Sequence, residues 1–64
     1  MKMIAVSSSA IRAVGYDGHM LGVQFHSSSR VYTLPGVPQE VYRRLMQAGS
    51  KGSYYHQFIR WRFR

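Results

Sequence analysis

The densest concentration of chemically capable side chains lies in the last fourteen residues, Lys51 to Arg64, where four cations and five of the chain's nine aromatics occur with no acid among them. Guanidinium groups meet phosphate oxygens in a bidentate way and stack on flat π systems, while Trp, Tyr and Phe offer faces to unstacked bases. Lys51 opens the segment, and Arg60, Trp61, Arg62 and Arg64 interleave at its end. That pattern suits single-stranded RNA or DNA. A second reading competes with it, because a small domain draws on its aromatics for core area. Tyr54, Tyr55, Phe58 and Ile59 are accordingly read as core residues. Trp61 with Arg60, Arg62 and Arg64 stays open between a docking site and a loosely held, solvated terminus. Arg43 and Arg44, further upstream, extend the same basic surface if they share its face, and are otherwise ordinary solvated charges.

Other chemistry is thinly supplied. The only acids are Asp17 and Glu40, too isolated for a paired-carboxylate site. Glu40 is better explained by a helix first turn and an i,i+4 pair with Arg44. Ser8, Asp17 and His56 make a nucleophilic set only on paper, since nothing around Ser8 resembles a nucleophile elbow. No catalytic residue is expected. His19, His26 and His56 share no ligand spacing and the chain has no cysteine, so neither a metal nor another cofactor is expected. Gly49 and Gly52 lack the strand, lysine and hydroxyl of a phosphate loop.

The elements that must position these residues follow from periodicity. Ala10 to Tyr16 is rich in small and β-branched apolar residues and ends in the turn chemistry of Tyr16-Asp17-Gly18. From Met20 to His26, Leu21, Val23 and Phe25 alternate with Gly22, Gln24 and His26, the period-two signature of a strand with one buried face. Ser27-Ser28-Ser29 supplies a turn, and Arg30 to Leu34 returns as a strand until Pro35-Gly36 stops it. A helix is predicted over Pro38 to Ala48, with Val41, Leu45 and Ala48 forming an apolar stripe, Arg43, Arg44 and Gln47 on its other side, and Gly49 in a left-handed cap. Ser50 caps a second helix carrying Tyr54, Tyr55, Phe58 and Ile59. Beyond it, Ile59, Trp61 and Phe63 alternate with Arg60, Arg62 and Arg64, a pattern shared by a short fourth strand and an ordered tail. The expectation is an α+β fold of β-β-β-α-α order: a three-stranded antiparallel meander packed by two short C-terminal helices.

Composition bounds the rest. At 64 residues the chain forms a single domain, residues 1–64, and buries only about 60% of the surface its unfolded form exposes. Without cysteine it has no disulfide framework, which fits a reducing, cytoplasmic setting. The longest uncharged stretch, Gly18 to Ser29, contains histidines, a glutamine and three serines, so no membrane span is expected. Met3 to Val6 falls short of the roughly 7–15 apolar residues of a signal peptide. The net charge of +7 is uneven: Met1 to Arg30 carries +2 and Val31 to Arg64 carries +5.

The order of motifs resembles the KTSC family of small bacterial and phage domains, which also occur at the C-terminus of some lysyl-tRNA synthetases. The carriers are Ser8-Ser9-Ala10-Ile11 with Val14-Gly15-Tyr16-Asp17, then Val37-Pro38 with Val41-Tyr42 and Leu45, and finally Ser50-Lys51-Gly52 with Tyr54-Tyr55, Ile59-Arg60 and Phe63. The family's central Tyr-x-Tyr appears here as Tyr32-Thr33-Leu34, so only its first aromatic is kept. The resemblance implies a compact stand-alone domain and a suggested role in RNA binding. The leading expectation is a non-enzymatic module that binds RNA or another nucleic acid through Arg43, Arg44, Lys51, Arg60, Trp61, Arg62 and Arg64. The rival is a protein-binding modulator, phage-encoded in one version, that docks the same basic face and Trp61 on an acidic partner. A monomer is favoured, with edge-to-edge pairing of the short sheet the route to a homodimer.

Overall fold

Apolar alternation is the signal that the chain obeys most closely. The structure, a computed structural model, describes residues 1–63. Strands β2 (Ile11–Tyr16), β3 (Leu21–Phe25) and β4 (Val31–Leu34) fall inside the three predicted segments, each trimmed by a residue or two at the ends. They pair antiparallel in chain order. A further strand, β1 (Met3–Ala5), pairs antiparallel with β2, so the sheet has four strands in the order β1-β2-β3-β4 rather than three. Met-Ile-Ala is too short to show a period, and β1 exists because the outer edge of β2 offers it a ladder.

Cross-strand partners share a face. Ile4, Val14, Val23 and Tyr32 form one row, and Tyr16, Leu21 and Leu34 the next. These rows look toward the helices, where Ile11, Val14, Leu21, Val23, Leu34, Val37, Leu45, Tyr55 and Ile59 make the core. Full burial of side chains such as Leu21 and Leu45 stabilises by about 1.5–3 kcal/mol each. On the opposite face Gly15 pairs with Gly22. A Cβ at Gly15 would stand 2.7 Å from Met3 Sδ and 2.8 Å from the Lys2 carbonyl oxygen, so the absence of side chains there lets the N-terminal residues lie flat on the sheet.

The turns use the residues foreseen for them. Gly18 at φ +93° and Gly36 at φ +67° take left-handed conformations, and Asp17 Oδ1 accepts from the backbone N–H groups of His19 (2.9 Å) and Met20 (2.6 Å). These two bonds, Met20 first, hold the Asp17 carboxyl below its ordinary range. Val37 N–H reaches back to the His19 carbonyl at 2.9 Å, and Tyr16 Oη donates to the Val37 carbonyl at 2.5 Å. Tyr16 also stacks on Tyr42 at 4.6 Å, joining the sheet to the first helix.

Helix α1 spans Gln39–Gln47 with Pro38 as its N-cap and buries Leu45. Its C-terminus departs from expectation. Gly49 is not left-handed; Ala48 is the cap, in an extended conformation, and Lys51 Nζ donates to the Ala48 carbonyl at 3.3 Å. The lysine satisfies an end carbonyl that a left-handed residue would otherwise turn back to cover. Helix α2 (Lys51–Tyr54) is capped by Ser50, whose hydroxyl accepts from Ser53 N–H. A π-helical turn, Tyr55–Ile59, continues it, with Arg60 N–H bonded five residues back to the Tyr55 carbonyl at 2.9 Å.

The π turn corrects one expectation and decides between two alternatives. Tyr55 and Ile59 are buried and Tyr54 half-buried, but Phe58 is 55% exposed, since the wider turn carries it further around the axis from Tyr55. The alternation after Ile59 is not a fourth C-terminal strand: residues 60–62 form a turn, with Arg62 N–H and Phe63 N–H both bonded to the Ile59 carbonyl. Arg64 lies outside the described residues. Among the described residues no helix is long and apolar enough to cross a membrane.

Candidate nucleic-acid interface

The row of side chains that begins at Ile4 ends at Tyr32, on the sheet edge that the helices leave uncovered, where Tyr32 is 41% exposed. The π turn and the residues after it run alongside that edge. Between them lies an open cleft of about 440 Å³ lined by Tyr32, Thr33, Leu34, Tyr55, Arg60, Trp61 and Phe63. It continues into a second cleft of about 410 Å³ lined by Phe25, Ser27, Tyr32, Tyr55, His56 and Arg60. Tyr32, Tyr55 and Arg60 are common to both, so the two form one aromatic trough with a cation at its centre.

The trough is built of rings fixed against each other. Phe25 meets Tyr32 edge-on at 5.9 Å and Tyr55 at 5.4 Å, and lies nearly parallel to the His56 imidazole at 6.1 Å. Burial pushes the Tyr55 phenol up, against the opposing pull of the Arg60 guanidinium, so the ring stays neutral at physiological pH. The guanidinium of Arg60 stands 5.1 Å from the centre of the Trp61 ring, and that of Arg30 stands 5.9 Å from Tyr32. Arg62 sits 5.8 Å from Phe63. Trp61 remains 63% exposed. Flat faces with guanidinium groups beside them can hold stacked bases and their phosphates.

The structure divides the residues singled out from the sequence. Arg60 and Trp61 line the trough and Arg62 adjoins it through Phe63. Arg43, Arg44 and Lys51 line neither part of it. Arg44 is engaged with Glu40 at 2.8 Å, and Lys51 is half-buried on the Ala48 carbonyl. Arg43 is exposed on α1. Conversely, Phe25, Tyr32 and His56 line the trough, with Arg30 beside it at the Tyr32 ring, and none of them was picked out as a binding residue. The signal that finds Tyr32, and Arg30 just before its strand, is their position at the last strand of a meander, which must be an edge.

Ser8, Asp17 and His56 engage separate partners. Ser8 Oγ accepts from the Ala10 and Ile11 N–H groups, Asp17 closes its turn, and His56 stacks on Phe25. No three metal-ligating side chains converge among the described residues.

A four-stranded meander capped by an α helix and an α-to-π turn is the arrangement of a known domain. The KTSC domain profile matches residues 7–63, and the chain belongs to that family. It is similar to the crystal structure of a KTSC domain protein from Yersinia pestis, with a TM-score of 0.90 and 35% identity, covering 98% of this chain and 90% of that one. It is also 39% identical over 62 residues to an uncharacterized protein of Stutzerimonas stutzeri (strain A1501), covering 94% of this chain and 86% of the relative.

Proposed function

We propose that this chain is a non-enzymatic module that binds nucleic acid, single-stranded RNA in the first place, along the trough of Tyr32, His56, Arg60 and Trp61. The observation that carries the reading is that Arg60 lines both halves of the trough and lies over Trp61, putting a phosphate-binding group between two exposed ring faces. The net charge of +7 supplies the long-range attraction. Amide shifts titrated with short RNA, single-stranded DNA and duplex DNA test it. Shifts concentrated on Tyr32, His56 and Arg60 to Arg62 with the single strands are expected, and spectra unmoved by all three overturn the reading. Trp61→Ala weakens single-strand binding by roughly 5- to 100-fold, the usual worth of one stacking platform.

One observation favours the rival. Phe58 is 55% exposed and packs on Tyr54 at 4.9 Å, adding apolar area of the kind a protein partner buries. A stoichiometric protein retained from nuclease-treated lysate, with no shifts in the RNA titration, would favour docking on an acidic partner.

A further inference from the structure

The trough does not end at Ser27. On the other side of that residue lies a polar cleft of about 390 Å³ lined by Arg12, Gln24, His26, Ser27, Ser28 and Ser29, and Ser27 is common to both clefts. The polar cleft is held in place by local bonds. The β2–β3 register shifts between Ile11 and Ala13, a bulge that takes Arg12 out of the ladder and leaves it exposed. Gln24 Nε2 donates to the Ser29 carbonyl at 3.1 Å, the His26 ring nitrogen Nε2 lies 2.9 Å from the Ser8 carbonyl, and Arg30 N–H donates to Ser28 Oγ at 3.1 Å. Neither acid answers the charge: Asp17 sits at the far end of the hairpin, and Glu40 holds Arg44. Arg12 therefore enters no ion pair among the described residues.

An uncompensated guanidinium beside three hydroxyls, an imidazole and a carboxamide is chemistry for a phosphate group rather than for a base or an apolar ligand. Its position selects the kind of phosphate. The cleft is shallow and adjoins a trough suited to bases, which matches an internal phosphodiester more closely than a free anion. We propose that the Arg12 cleft is a phosphodiester subsite for the strand whose bases stack in the aromatic trough, so that a single strand crosses the β3–β4 turn and is gripped on both sides of Ser27. This inference rests on the nucleic-acid reading and extends it. It places one arginine of the weakly charged N-terminal half in the interface. It also restricts the ligand to single strands, because bases paired in a duplex cannot leave the stack to enter the trough while the backbone follows the turn.

Fluorescence anisotropy with labelled octauridylate RNA decides the matter, using the full chain and the variants Arg12→Ala, Arg12→Lys and Trp61→Ala, in about 50 and 200 mM salt. Arg12 is exposed, and amide spectra verify that each variant is folded. Arg12→Ala is expected to weaken binding roughly three- to tenfold and to make the slope of log K against log salt shallower by about 0.7, one phosphate contact on a single strand. Arg12→Lys keeps the slope. If Arg12→Ala matches the parent in affinity and slope while Trp61→Ala loses binding, the subsite is wrong and the trough stands. If the parent fails to bind octauridylate, or Trp61→Ala binds as the parent does, the trough is wrong and the subsite falls with it.

Discussion

The two hairpins that share β3 are built to opposite ends. In β2–β3, Ile11, Val14, Leu21 and Val23 are fully buried, and the connecting turn is closed by a carboxylate and a left-handed glycine. In β3–β4, Val31, Tyr32 and Thr33 are all exposed, and the turn is a run of serines with a cleft on either side. The same β3 residues serve both, with Val23 paired to Val14 on one side and to Tyr32 on the other. Stability is concentrated in the first hairpin and exposed chemistry in the second, a division that lets the exposed surface vary without loosening the core.

The largest expected contrast comes from truncating one residue in each hairpin. Ile11→Ala, on β2, removes a fully buried side chain at a cost of about 2–5 kcal/mol, against a total stability of roughly 3–10 kcal/mol for a domain of this size. Urea unfolding should therefore find it largely unfolded or close to it. Val31→Ala, on the exposed strand, should stay within about 1 kcal/mol of the parent. Comparable losses from the two would show that β4 bears as much of the core as β2.

An intermediate effect tests the close approaches that other segments make to the sheet. A Cβ at Gly52 would lie 2.8 Å from Ala10 Cβ, a short and rigid neighbour, so Gly52→Ala should cost about 1–3 kcal/mol. At Gly22 the nearest atom is Met1 Sδ at 2.5 Å, on a flexible side chain that can swing away, so Gly22→Ala should cost less. Thermal unfolding of the two variants ranks them, and the reverse order would mean that the N-terminal residues grip the sheet more firmly than helix α2 does.

Much of the fold was legible because most of it obeys one period at a time. Leu21, Val23 and Phe25 announce β3 by alternation, and Asp17-Gly18 and Pro35-Gly36 mark its neighbours' ends. Strand β1 was not legible, since three residues on an edge carry no pattern and form only when β2 is present to pair with. The tail was legible only as a strand or an ordered tail, for a physical reason: Ile59, Trp61 and Phe63 satisfy period two, yet Ile59 is committed to the core by the π turn, which removes the alternation's first member. Of the candidate site, Arg60 and Trp61 were legible from composition. Lys51 was not separable from them, because only the fold shows that it covers a helix-end carbonyl, whereas the i,i+4 spacing already foretold the pairing of Arg44 with Glu40.

The smallest effect separates the two turns by pH. Asp17 has its folded value lowered from 3.8, so its contribution to stability is present above that unfolded value and is lost as pH falls through the lower folded one. Asp17→Asn should flatten the acid limb of stability measured by urea midpoint between about pH 6 and pH 2. The serine turn of β3–β4 holds no carboxylate, and Ser28→Ala should leave that limb unchanged.

The meander order of the sheet has a consequence for the speed of folding. Every pair of neighbouring strands is also consecutive along the chain, so each ladder closes across a short connection and none must wait for a distant segment to arrive. Loop closure therefore costs little entropy at each step. Predominantly local pairing places such a chain toward the fast end for sheet-containing domains. The two faces of the sheet therefore stand bare for only a brief interval before the helices and the N-terminal residues settle onto them.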